Sequence, residues 1–219
     1  MALTGTAPHL LLRDTKSPAK TRKVALDGVH GFIDLYSASP DGSSFAIIIG
    51  AGDGVSGSKT NIWFDSNGKK LGSITLDEWG QSGALSRSQM HQVSAMGYLP
   101  DSKKLVTLGD ALTAWDLSTG KQIWTARAPD RGGTGQYLTV SDHYAAVAGF
   151  GDNVSIFDVK TGELVKSIGF KAIEALQLLP SNKLVLVSLR TPCQGKVYDL
   201  NTGSSEDFNI NLPTEKLQP

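Results

Sequence analysis

Trp63-Phe64-Asp65-Ser66-Asn67-Gly68, Ala114-Trp115-Asp116-Leu117-Ser118-Thr119-Gly120, Ile156-Phe157-Asp158-Val159-Lys160-Thr161-Gly162 and Val197-Tyr198-Asp199-Leu200-Asn201-Thr202-Gly203 are four versions of one pattern. Apolar or aromatic residues lead to an Asp, and a short polar turn then ends in Gly. The chemistry is that of a hairpin corner: the Asp carboxylate bonds to backbone amides just ahead of it, and Gly takes the turn conformation that other residues resist. The four aspartates stand 51, 42 and 41 residues apart. Self-similarity at about 40 to 45 residues is the spacing of stacked four-stranded sheets.

Upstream of each corner lie two further strand candidates. They are Ile33 to Ser37 with Phe45 to Ile49, Val93 to Tyr98 with Leu105 to Leu108, Gln136 to Val140 with Ala145 to Ala148, and Ile173 to Leu178 with Leu184 to Ser188. The turns between them carry Pro40-Asp41-Gly42-Ser43, Pro100-Asp101-Ser102-Lys103, Ser141-Asp142-His143 and Pro180-Ser181-Asn182-Lys183, residues that preset or cap tight turns. Runs such as Phe45-Ala46-Ile47-Ile48-Ile49 and Leu184-Val185-Leu186-Val187 are apolar without alternation, which predicts middle strands covered on both faces. The pattern therefore predicts an all-β protein: a β-propeller of four full four-stranded antiparallel blades at 31–77, 91–127, 134–169 and 172–212, within one propeller domain over 1–219. A partial blade over 1–30 precedes them, with Leu10 to Arg13 and Lys23 to Leu26 as the last two strands of a blade whose first two are not in the chain.

His91, Val93, Pro100-Asp101, Gly109-Asp110, Trp115-Asp116 and Gly120 stand in the order of the WD repeat, and over roughly residues 31 to 212 the chain resembles the WD-repeat propeller family. Only the second unit has the Trp-Asp pair; Phe64, Phe157 and Tyr198 replace the tryptophan elsewhere, and a Gly-His pair is absent. The same unit, Ala114-x-Asp116-x-x-Thr119-Gly120-Lys121-x-x-Trp124, also resembles the tryptophan-docking motif of pyrroloquinoline-quinone-type propellers. The first resemblance implies a non-catalytic scaffold with no cofactor, docking protein partners on its loops and rim. The second implies the alternative of an exported quinoprotein-like propeller, either an assembly subunit of the bacterial outer membrane or the ER membrane, or a quinone-dependent dehydrogenase. Four and a half blades leave sheet edges open, so we expect either a segment of a longer propeller or a second chain that completes it.

Composition names no partner. The 21 Lys and Arg balance the 21 Asp and Glu, so no net field favours nucleic acid or an anionic membrane surface. No window approaches the roughly 18 apolar residues of a membrane-spanning helix. The opening residues show no export signal, which predicts a cytoplasmic protein, or a lumenal or periplasmic one if the chain is a fragment of an exported protein. The lone Cys193 excludes an internal disulfide, and His9, His30, His91 and His143 stand in no ligand spacing. Gly50-Ala51-Gly52-Asp53-Gly54-Val55-Ser56-Gly57 has a phosphate loop's glycines, but a strand follows it rather than a helix, so it reads as a long connection. Repetition at one turn makes Asp65, Asp116, Asp158 and Asp199 structural locks, and Asp110 and Asp152 fit the next turn in the same way. Asn153-Val154-Ser155 matches a glycosylation acceptor but sits at a strand start. Partner contacts are expected on two connections: one with Trp79 and Arg87, the other with Arg127, Asp130 and Arg131.

Overall fold

The computed structural model describes residues 9–13, 21–26, 29, 32–50, 60–75, 93–109, 111–127, 137–149, 152–188 and 194–209, and among these there is no helix. An N-terminal pair, β1 (His9–Arg13) and β2 (Thr21–Ala25), forms a two-stranded sheet. Four four-stranded sheets follow, each a meander in which sequence neighbours are hydrogen-bonded. The first is β3 (Phe32–Ala38), β4 (Ser44–Gly50), β5 (Thr60–Asp65) and β6 (Lys70–Thr75). The second is β7 (Ala95–Tyr98), β8 (Lys104–Leu108), β9 (Ala111–Asp116) and β10 (Lys121–Arg127). The third is β11 (Tyr137–Val140), β12 (Tyr144–Ala148), β13 (Asn153–Asp158) and β14 (Leu164–Gly169), and the fourth β15 (Ala175–Leu178), β16 (Lys183–Ser188), β17 (Gln194–Asp199) and β18 (Ser205–Asn209). The chain is thus all-β, with four full blades and a partial one before them.

Two compact units divide the chain: Met1–Asp110 with Ala114–Ile123, and Ala111–Thr113 with Trp124–Pro219. In the first, β3 lies beside β7; in the second, β11 lies beside β15. Within each unit, therefore, the first strands of its blades are neighbours, and the fourth strand of each sheet is the far edge.

The turn after each blade's first strand shows how sequence sets backbone. Gly42, Ser102 and Asn182 occupy the same place in three of these turns, and all have positive φ, of 69°, 56° and 58°. Their amides close the turns onto the carbonyls of Ser39, Leu99 and Leu179 at 2.9, 2.9 and 3.1 Å. Gly adopts this conformation freely and Asn tolerates it, whereas Ser102 is strained there.

Within the first unit, Val24, Leu26 and Val29 pack with Phe45, Ile47, Ile49, Ile62 and Phe64, so the N-terminal pair covers one face of the first sheet. The other face presents Ala46, Trp63 and Ile74 to Tyr98, Leu105 and Trp115. Phe45 through Ile49 are all buried, which is how a continuous apolar run behaves when both faces are covered. In the second unit Leu178, Leu184 and Leu186 of the fourth sheet pack on Ala146, Ala148, Val154, Ile156 and Ile168 of the third. There the expectation for Leu184-Val185-Leu186-Val187 is met on one face only: the leucines are buried, while Val185 and Val187 are half-buried. The leucines face the third sheet, and the valines point to the opposite side.

Asn61 is the exception in the first sheet. It is fully buried, and neither carboxamide atom has a hydrogen-bond partner, although Leu112 and Val154 hold the equivalent place four residues before the corner Asp in other blades. A buried polar group left unpaired costs about 1–3 kcal/mol. Asn61→Leu is expected to raise the unfolding free energy by about that amount in urea titrations, with an unchanged m-value.

Candidate functional site

A four-stranded meander puts its first and third turns at one end and its second turn and exit at the other. The corners that begin with the repeated aspartates therefore share one end of each blade with the turns after the first strands. The 2→3 and blade-to-blade connections share the opposite end.

At the corner end, each carboxylate is bonded within its own turn. The Oδ1 of Asp65 accepts from the amides of Asn67 and Lys69 at 2.8 and 2.9 Å. That of Asp116 accepts from the Ser118 amide and hydroxyl at 2.8 and 2.6 Å. Asp158 accepts from the amides of Lys160 and Thr161, and Asp199 from those of Asn201 and Thr202. The hydrogen bond from the Ser118 hydroxyl, with that from its amide, holds the Asp116 carboxyl below the usual carboxylate range. Bonds led by the Thr161 amide do so for Asp158, and bonds led by the Thr202 amide for Asp199. Gly68, Gly120, Gly162 and Gly203 close the corners at φ of 88°, 69°, 76° and 78°.

These glycines also receive a side chain from the preceding blade. Trp124 of β10 lies against Gly162, where an added Cβ would come within 2.6 Å of the indole, and its Nε1–H donates to the Val159 carbonyl at 2.9 Å. One turn later Lys166 stands where Trp124 stood. Its ammonium is 3.5 Å from the place of a Cβ on Gly203 and 4.8 Å from the centre of the Tyr198 ring. Val24 covers Gly68, supported by Arg22, whose guanidinium donates to Asn67 Oδ1 at 2.8 Å and to the Ser66 carbonyl. In the first sheet the docking place falls on Gly72, which has no side chain; Trp63, opposite it on β5, lies across it and reaches towards Gly120. The sequence displays one such motif. The structure has four docks, because a valine, a lysine or a cross-strand tryptophan serves the same geometry.

The connection end is the candidate interaction surface. Arg127 ends β10 there, exposed. Trp79 and Arg87, between β6 and β7, lie outside the described residues, as do Asp130 and Arg131, between β10 and β11. The strands that flank both segments end at Thr75 and Arg127 and resume at Ala95 and Tyr137, all at this end of their sheets. Residues 51–59, His30, His91, Asp110 and Cys193 are also outside the described set, while His143 is exposed in the β11–β12 turn at the corner end.

In the second unit a cleft of about 770 Å³ opens at the connection end between the third and fourth sheets, lined in part by Asp152, Phe170, Lys171, Gln194, Lys196 and Asp207. Phe170 donates its amide to the Asp152 carbonyl at 2.8 Å. Lys196 and Asp207, directly opposite on β17 and β18, pair at 3.2 Å. Lys171 and Asp152 are exposed beside them, so the walls mix both charges with an aromatic ring. Sequence reading missed this cleft, since its residues come from four strand ends far apart in the chain. No group of His, Cys, Asp and Glu that could hold a metal occurs among the described residues.

No protein-family model and no curated protein matches the sequence. Among solved structures, the chain is similar to the WD40 repeats of RRP9, with 17% identity and a TM-score of 0.61 over 84% of this chain and 53% of that one. It is equally similar to U3-55K, with 17% identity and a TM-score of 0.61 over 85% and 54%. The fold is that of a WD40-type propeller, and the chain spans about half the length of these solved chains.

Two outcomes are expected of the corner end. Trp124→Ala removes a buried indole and its hydrogen bond and should lower the unfolding free energy by about 3–5 kcal/mol. Gly162→Ala combines an unfavourable φ with a collision on the same ring and should also destabilise; parity of either variant with the parent in urea would contradict the dock. Folded-state pKa values depressed at Asp116, Asp158 and Asp199 mean stabilisation that is present above the unfolded carboxylate value of about 4 and lost as pH falls through the folded values. The melting temperature should hold from neutral pH to about 4.5 and then fall. That fall should be shallower in the Asp116→Asn, Asp158→Asn, Asp199→Asn triple variant.

Proposed function

We propose that the protein is a non-catalytic scaffold that docks a protein partner on the connection end of its blades. The observation that carries this reading is the cleft at the connection end of the third and fourth sheets, whose walls offer Phe170 together with both charges. An extended segment with an apolar anchor flanked by mixed charge meets such walls without leaving a buried charge unpaired. At the corner end the aspartates are spent on their own turns. Similarity in fold to WD40 repeats supports a rigid frame that carries variable loops, and the partner is read from the site.

The Trp124 dock favours a second reading, a quinoprotein-like assembly subunit, since its indole sits on the corner of the next blade as the motif implies. The other three docks lack a tryptophan at that place in the repeat, which weighs towards the first.

Quantitative affinity capture with two groups of variants tests the proposal. Trp79→Ala, Arg87→Ala, Arg127→Ala, Arg131→Ala and Lys171→Glu alter the connection end, whereas Lys160→Ala and Asn201→Ala alter exposed corner positions. Partner recovery should fall at least about tenfold for one or more of the first group, as for loss of an interface anchor, and stay at the parent level for the second. Equal recovery across both groups would overturn the docking surface.

A further inference from the structure

β6, β14 and β18 are the far-edge strands of the first, third and fourth sheets. In β6 and β14 the edge is interrupted. Trp63 faces Gly72 while Phe64 faces Lys70, so Leu71 is left over in β6; Ile156 faces Lys166 while Phe157 faces Leu164, so Val165 is left over in β14. Both surplus side chains are exposed. A bulge of this kind breaks the regular row of outward amides and carbonyls and twists the edge, which keeps a further strand from pairing along it. β18 has no bulge: Gln194 to Tyr198 of β17 face Asn209 to Ser205 in one unbroken register, and all of β18 is exposed.

The direction of its main-chain groups follows from the corner before it. Asp199 donates its amide to the Ser204 carbonyl at 2.9 Å, and in an antiparallel ladder such bonded pairs recur at every second residue. Glu206 and Phe208 therefore turn their amides and carbonyls towards β17, whereas those of Ser205, Asp207 and Asn209 point out from the edge of the sheet. Among the described residues no main-chain group pairs with them.

We infer that β18 takes up an extended basic segment of the docked protein as a fifth strand. This rests on the connection-end cleft as the docking surface and gives the way in which its partner binds. Asp207, Phe208 and Asn209 line that cleft, so a chain paired on β18 runs along its mouth. Glu206 and Asp207 are adjacent on the edge, and β18 carries no cation of its own. Lys196 reaches Asp207 from β17 at 3.2 Å, yet the Asp207 side chain remains 79% exposed. An added strand sets lysine or arginine opposite these two carboxylates and a β-branched residue opposite Phe208, pairs that stabilise a sheet. A second copy of β18 paired about its centre would set carboxylate against carboxylate, which is unfavourable. Main-chain bonds to an open edge supply affinity, and the charges select the segment.

The test uses the 219-residue chain and a fluorescein-labelled peptide, acetyl-Thr-Val-Lys-Lys-Thr-amide. In an antiparallel pair its lysines fall opposite Asp207 and Glu206, and its valine opposite Phe208. Fluorescence anisotropy should show saturable binding, weakened at least about tenfold in Glu206→Lys/Asp207→Lys, as for loss of an interface anchor. Ser205→Pro, which removes an outward amide and no ladder bond, should weaken it as well. Methylating the amide of the first lysine, which points at the Asp207 carbonyl, should weaken binding about fivefold or more, as for a lost hydrogen bond, whereas methylating the valine amide, which points to solvent, should not. Amide exchange at Asp207 and Asn209, followed by NMR, should slow when the peptide binds. The methylated peptides leave the protein unaltered and so decide the matter even if a variant does not fold. No saturable binding by the parent, equal affinity for the two methylated peptides, or unchanged exchange at Asp207 would overturn strand addition; full binding by a folded Glu206→Lys/Asp207→Lys variant would overturn the basic occupant. Partner capture lost in Lys171→Glu but retained in Ser205→Pro would remove the added strand and leave the docking surface. Peptide binding as expected, with capture unaffected by every connection-end variant, would remove the docking surface and leave strand addition at β18.

Discussion

Phe45, Ile47 and Ile49 point to one side of β4, and Ala46 and Ile48 to the other; all five are buried, although a single sheet cannot cover either face by itself. That constraint governs the rest of the structure. A blade built on such a strand is stable only between two neighbours, so the repeat exists to supply, every 40-odd residues, another sheet with the same two apolar faces. The contact of sheet on sheet supplies most of the favourable free energy, as apolar area withdrawn from water. The hydrogen-bonded corners contribute less, but they set the angle and spacing at which the sheets meet.

The docks show how loosely the side chain at a seam is specified once the backbone is fixed. A positive-φ glycine leaves a shallow recess, and valine, lysine or tryptophan can fill it, because each presents a slab of hydrocarbon over a bare peptide. Lys166 gains the face of Tyr198 beneath its ammonium, and Trp124 gains a carbonyl for its indole N–H. Trp63 reaches the recess across Gly72 from the neighbouring strand. The corner glycines share a positive φ, whichever side chain covers them.

The two ends of each blade divide the work. Carboxylates at the corner end are occupied by backbone amides and carry geometry. In the second unit the opposite end opens a cleft where strand ends from two sheets meet. The buried seams, by contrast, need matching volumes.

The sequence alone determined the blade. Asp-to-Gly corners, Pro and Asn turns and strand-length apolar runs are local signals, each tied to a backbone conformation within a few residues. Strands β3, β4, β8, β12 and β16 accordingly lie within a residue or two of where those signals put them. What one face of a strand touches is not local, and only the tertiary structure decided it: that Val185 and Val187 differ from Leu184 and Leu186, that Asn61 is buried without a partner, that Val24 does the work of Trp124. The cleft of Asp152, Phe170, Lys171 and Lys196 belongs to the same class, because it is formed by residues that only sheet-on-sheet packing brings together.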